Sequence, residues 1–249
     1  MEFQMRNKTF ISSMVGVAAA VAVAGSANAT FVEYYTVKTQ PTADGSGINL
    51  DVYVLYARFN GGTDTVLNAF NFNRTDSNVT NMFYHKDDAS GNSGVLQTAN
   101  GTWNPTITGS TTLHRPFDSY LTIGGLPTSS NGTGADPKWG NPLSWNRPDV
   151  PNNQNVGWFD PNPSGGSIAG RVGQAGNLVD STRLGQFSIA RNSYAGVWTL
   201  KIGYNSGVPG APVSFGQSTF SIGVAPVPAP GAAALIGLAG LIGARRRRD

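Results

Sequence analysis

Between residues 48 and 59 the chain alternates in steps of two: Ile48, Leu50, Val52, Val54 and Tyr56 interleave with Asn49, Asp51, Tyr53, Leu55 and Ala57. Successive side chains of an extended chain point to opposite faces, whereas a helix brings together residues three and four apart. This period therefore selects a strand. The first set makes an almost wholly apolar face that a strand must bury. Comparable runs over 31–38, 65–72, 79–84, 120–123, 167–172, 184–189, 196–204 and 217–223 predict further strands, separated by turn material such as Asp44-Gly45, Asn60-Gly61-Gly62 and Asn205-Ser206-Gly207. With no amphipathic helical pattern in the body, the expected fold is all-β: a single β-sandwich or jelly-roll-like body over residues 30–224.

One stretch, 127–166, breaks this rhythm. It is dense in Gly, Pro and Asn and too long for a plain connection, so it reads as an insertion, either a functional lobe or a mobile segment. Cysteine is absent, which excludes disulfides, thiolate zinc sites and cysteine nucleophiles and leaves the body to stand on its hydrophobic core.

The two ends follow different rules. Arg6 and Lys8 precede an apolar run from Met14 to Ala24, and Ala27-Asn28-Ala29 follows as a small-x-small site. These are the parts of a secretory signal, residues 1–29, with cleavage expected between Ala29 and Thr30 by signal peptidase. The apolar run falls well short of the ~20 residues that span a bilayer as a helix.

At the other end, residues 225–249 contain Val227-Pro228-Ala229-Pro230, an apolar segment through Ala244, then Arg245, Arg246, Arg247, Arg248 and Asp249. Proline fixes φ and removes a backbone donor, so a helix can begin only after Pro230 and the motif stays open to an enzyme. The helix that follows would be about 22 Å long at ~1.5 Å per residue, short against a ~30 Å hydrocarbon core. That suits a transient membrane insertion. The arginines hold their end on the cytoplasmic side, and the basic n-region does the same at the other, so the body lies outside.

This tail resembles the PEP-CTERM family of sorting signals, in which a Val-Pro-Glu-Pro-like motif, a Gly/Ala/Leu-rich helix and an arginine cluster are read by an exosortase. It departs from the usual form at Ala229, where glutamate is common, and in its terminal Asp249. The resemblance covers 227–249 and implies an exosortase partner, removal of the tail, and the surface or matrix of a Gram-negative-type bacterium, often one that makes exopolysaccharide. Three segments of the body, Asp118 to Gly125, Gly157 to Pro163 and Leu184 to Phe187, are similar to a loose group of uncharacterised secreted bacterial proteins with no activity to carry over.

Charge points to no nucleic-acid partner. The formal +3 comes from the terminal segments; the body between them holds 11 basic and 12 acidic residues. Catalytic motifs are missing: no nucleophile elbow, zincin helix, Walker loop or dinucleotide fingerprint occurs, so no catalytic residue, cofactor or metal is expected. His85 and His114 are read as exposed loop or edge residues. Glu33 is the body's only glutamate, and the adjacent Asp87 and Asp88 would point opposite ways in an extended segment.

What remains is aromatic. Trp139, Trp145, Trp158 and Phe159 cluster in the insertion beside Asn141, Asn146, Asn152, Asn153, Gln154 and Asn155. Rings with neighbouring amides suit glycan binding, because a ring covers the apolar face of a pyranose and amides bond its hydroxyls. The alternative is that the tryptophans fold back as lids over the core; Trp103 and Trp198 are assigned to the core outright. Two classes of function stay open. One is a non-enzymatic surface or matrix protein associated with polysaccharide. The other is a secreted glycoside-type hydrolase using loop aspartates among Asp87, Asp88, Asp118, Asp136, Asp149 and Asp160.

Overall fold

A computed structural model describes residues 30–40, 49–76, 83–85, 102–106, 116–128, 131–143, 145–147, 150–162, 180–208 and 210–223. The signal segment, the sorting tail, the expected strand over 167–172 and most of that over 79–84 lie outside the described residues, as do Asp87, Asp88, His114 and Asp149.

The described strands are β1 (Phe31–Thr39), β2 (Leu50–Phe59), β3 (Thr65–Arg74), β4 (Tyr120–Leu121), β5 (Gly134–Ala135), β6 (Trp158–Phe159), β7 (Ser181–Ala190), β8 (Tyr194–Asn205) and β9 (Ser214–Gly223). They form two antiparallel sheets, one ordered β1-β2-β7-β4 and the other β5-β6-β3-β8-β9, packed face to face as a β-sandwich. The chain passes from the first sheet to the second after β2, after β4 and again after β7, so both sheets contribute to one core. Leu55, Phe59, Phe187 and Ile189 meet Val66, Phe72, Leu200 and Ile202 there. Phe72 is its hub, with ring centroids 4.6 Å from Trp198, 5.6 Å from Trp158 and 5.7 Å from Phe187. As expected, Trp198 alternates inward with Leu200, Ile202 and Tyr204, and Trp103 is fully buried.

Three features depart from the sequence reading. The first is β2, whose alternation promised one buried face. The expected face, Leu50, Val52, Val54 and Tyr56, is buried, yet it is Tyr53, Leu55, Ala57 and Phe59 on the opposite side that turn to the second sheet, so both faces are covered. Tyr84 and Phe117 pack with Leu50, covering that end of the strand.

The second is β3, which is not regular. Register shifts fall between Val66 and Asn68 and between Phe70 and Asn73. Each bulge adds a residue without a partner. Val66, Ala69 and Phe72, three apart, therefore all face the core instead of alternating. Asn71 takes a positive φ of 55° at the second shift, a conformation that asparagine tolerates better than most residues.

The third is the stretch 127–166. Its described part is neither a lobe nor a loose insertion, for it supplies β5, β6 and a one-turn 3-10 helix over Pro137–Trp139 that closes one edge of the core. Asp136 caps that turn, accepting the Lys138 N–H at 2.9 Å.

Candidate functional site

Trp139, Trp145 and Trp158 do not offer a sugar-contact surface. All three are buried, Trp145 the most accessible at 4%. Trp139 packs 5.1 Å from Trp103 and 6.2 Å from Trp158, and their indole N–H groups donate to the carbonyls of Gly157 at 3.2 Å and Thr122 at 3.0 Å. A ring whose single polar atom finds a backbone partner loses little by leaving water, which is why Trp139 and Trp158 serve as lids. The amides beside them are also engaged. Asn141 and Asn146 accept backbone N–H groups within their own loop, and Asn152 accepts the Arg74 N–H at 2.6 Å. Asn155 accepts from Asn73 at 3.1 Å. These amides act as loop fasteners.

Phe159 alone of the four stays outside, because it follows Trp158 on a strand and the pleat turns it to the opposite face. It is 45% exposed. Register places it in a row that crosses all five strands of its sheet: Gly134 pairs with Phe159, Phe159 with Asn68, Asn68 with Gly203, and Gly203 with Phe215. The next outward row is Phe70, Lys201 and Gln217. Phe215 is 59% exposed and lies 6.1 Å edge-on from Phe70, with the Lys201 ammonium 4.8 Å and 5.5 Å from the two ring centroids.

The two glycines of this row keep the face low. A Cβ at Gly134 would stand 2.7 Å from the Phe159 ring, so that ring lies flat over β5. At Gly203 it would stand 2.6 Å from the Asn68 Oδ1 that accepts the Gly203 N–H. The result is a shallow aromatic band with an ammonium and two amides, Asn68 and Gln217. Three strand spacings separate Phe159 from Phe215, about 14 Å, which is longer than one sugar ring. Sequence reading found Phe159 but missed Phe70, Phe215 and Lys201, since only the pairing of β6, β3, β8 and β9 brings them to it.

Two buried polar groups lie elsewhere. His85, expected at the surface, is fully buried, its Nδ1 donating to the Ser119 carbonyl at 3.1 Å and lying 3.7 Å from Asp118. Its ring stands 4.3 Å from Trp103, so the pair packs against the core edge. Asp64, on the turn between β2 and β3, is also buried, and its Oδ2 has no hydrogen-bond partner. Burial first, and the Asp180 carboxylate second, push it up to about 6. This coupled pair is absent from the sequence reading because 116 positions separate its members. Of the loop aspartates considered for hydrolysis, Asp136 caps its 3-10 turn and Asp160 accepts the Asn162 N–H at 2.8 Å. No group of three or more His, Cys, Asp or Glu that would hold a metal occurs among the described residues.

No family model, curated protein or solved structure matches this chain. The resemblance of the tail therefore rests on residues 227–249 themselves.

Proposed function

We propose that this chain is an exported surface or matrix protein, trimmed by signal peptidase before Thr30 and sorted through its Val227 to Pro230 motif and arginine cluster by an exosortase. Its body is non-enzymatic and holds extracellular polysaccharide on the outer face of the five-stranded sheet. The observation that carries the binding reading is the solvent-facing row from Phe159 to Phe215, with Lys201 and Gln217 beside it. Stacking on exposed rings supplies affinity, amides recognise hydroxyls, and the shallow glycine-bordered floor admits a chain passing over it. The hydrolase alternative is supported by Asp64 and Asp180, since burial raises the Asp64 carboxyl to about 6, closer than an ordinary aspartate to the range in which a general acid holds its proton. That pair is not on the aromatic band.

The test is binding of the exported protein to a glycan array and to exopolysaccharide from its host, alongside Phe159→Ala, Phe215→Ala and Lys201→Ala. Several-fold weaker binding in each variant, with Tm unchanged and no new reducing ends released, supports the reading. Equal binding by wild type and all three variants removes the sheet face from it. Intact mass of the surface protein should show a start at Thr30 and loss of Arg245 to Arg248; recovery of the full-length chain would rule out the sorting proposal.

A further inference from the structure

Among the described residues, carboxylates are matched with donors, except at one corner of the sandwich. Glu33, Asp51, Asp76 and Asp118 each have a basic side chain at 2.8 to 3.7 Å, and Asp136 and Asp160 accept backbone N–H groups. Asp64 and Asp180 have no such basic neighbour. Asp64 is 2% exposed, and its buried Oδ2 accepts no hydrogen bond. The charge it does meet is that of Asp180, which has the same sign.

Main-chain pairing places the two acids together. β2 and β7 run antiparallel with Arg58 opposite Ser181, so the residue before β7 lies at the mouth of the turn that follows β2. The Phe59 N–H donates to the Asp180 carbonyl at 2.9 Å and closes that corner. The turn itself contains Gly61 and Gly62, and both carboxylates are aimed at this pair. A Cβ at Gly62 would stand 2.7 Å from the Asp180 Oδ1, and one at Gly61 would stand 3.7 Å and 3.9 Å from the two oxygens of Asp64. Bare backbone therefore meets two carboxylates, one of them buried and unpartnered.

We infer that Asp64 and Asp180 bind a calcium ion at the turn between β2 and β3, with main-chain oxygens of the turn and water completing its shell. Calcium takes about six to eight oxygen ligands at ~2.3–2.6 Å in flexible geometry, so it does not need a third acidic side chain, whereas magnesium demands a near-ideal octahedron. The ion would answer the Asp64 Oδ2, which is otherwise a buried charge without a partner. Protonation is the other relief, and burial followed by Asp180 raises the Asp64 carboxyl to about 6. Above that pH both charges are present for a cation to neutralise. A bound ion would tie the crossover between the sheets to the start of β7, a long-range staple in a chain that has no cysteine to make one. The inference is independent of the polysaccharide reading, and it excludes general-acid use of the same pair.

The test is calorimetric titration of the exported protein, first freed of metal by chelator, with calcium chloride and with magnesium chloride. Wild type, Asp64→Asn, Asp180→Asn and Asp160→Asn are compared, and Tm is read in chelator and in calcium well above the measured Kd. The expected wild-type Kd for calcium is on the order of 0.1–1 mM, as in extracellular modules, with magnesium at least about tenfold weaker and Tm raised by several degrees in calcium. Asp64→Asn and Asp180→Asn should each weaken calcium binding by at least about tenfold and abolish the rise in Tm, while Asp160→Asn keeps both. The amides keep the shape of the carboxylates and remove their repulsion, so Tm in chelator should not fall below that of wild type, which separates lost ligation from lost folding. No calcium binding by wild type, magnesium bound as tightly as calcium, or calcium affinity unchanged in Asp64→Asn or in Asp180→Asn each overturns it.

Discussion

Strands β2 and β9 each hold ten residues, and they live in opposite surroundings. In β2, flanked by β1 and β7, every residue except Arg58 is buried, including the side turned away from the core. In β9, at the edge of the other sheet, only Gly216, Phe220 and Ile222 are buried, while Phe215, Gln217, Thr219 and Ser221 face solvent. The outer face of the first sheet is covered, and there the polar groups that remain, Arg183, Gln186 and Tyr120, are locked into hydrogen bonds and border a cavity. The outer face of the second sheet is open, and its rings and ammonium are free to meet a large ligand. The comparison teaches that strands of equal length meet protein or water according to what lies across each face of the sheet.

Substitutions separate these regions in order of expected effect. The largest belongs to the shared core: Trp158→Ala should cost about 3–5 kcal/mol and lower Tm by many degrees, read by thermal unfolding. If Trp158 instead contacted glycan, Tm would hold and binding would fall. Next comes Arg183→Leu on the covered face. It strips the donors from the buried phenols of Tyr56 and Tyr120, at about 1–3 kcal/mol for each group left unsatisfied, whereas Lys201→Leu on the open face should stay within about 0.5 kcal/mol. Comparable losses in the two variants would erase the distinction between the faces.

Two buried aspartates near opposite ends of the first sheet give a pH version of the same contrast. Burial pushes Asp51 up, but the Asn192 N–H, Lys38 and Gln40 outweigh it and hold its carboxyl below the ordinary range. Asp64 has no such partners and is raised to about 6. The folded protein thus binds the Asp64 proton more tightly than the unfolded chain, whose aspartates ionise near ~3.9, so this group's contribution to stability falls as pH rises from about 4 to about 6. Asp51 contributes above its ordinary pKa and loses that contribution on acidification through its lowered folded value. Asp64→Asn should flatten the first slope, by an amount on the order of 1–2 kcal/mol after allowance for solvent screening. Denaturant titrations at pH 4, 5 and 6 measure it, and a slope unchanged in the variant would assign the effect to another group.

The smallest stability effect is expected at Phe215→Ala. Its ring is more than half exposed, so Tm should barely move, while polysaccharide affinity should drop several-fold from a stacking contact of about 0.5–1.5 kcal/mol. A fall in Tm as large as that of Trp158→Ala would place Phe215 with the core.

Period-two alternation is a local property, and for that reason the long strands β1, β2, β3, β7, β8 and β9 were legible from the chain alone, as were the inward faces of Trp103 and Trp198. The features of the terminal segments are likewise written in consecutive residues, but those segments lie outside the described residues. Burial is a different matter, because it depends on what other segments lie across a face. The alternation announced that the Val52 and Val54 side of β2 is buried, but nothing near Tyr53 and Leu55 in sequence announces that theirs is the side turned to the second sheet. Nothing in the stretch around Trp139, Trp145 and Trp158 says that its rings turn inward while Phe159 turns out. Bulges have the same effect at the scale of one residue: an extra position at Leu184, or around Asn71, changes which face later side chains occupy without altering composition. The candidate sites are equally non-local. The aromatic band exists only when β6, β3, β8 and β9 pair in register, and the Asp64–Asp180 pair only when β2 and β7 lie side by side. Long-range pairing, which brings together residues with no sequence relation, decided both.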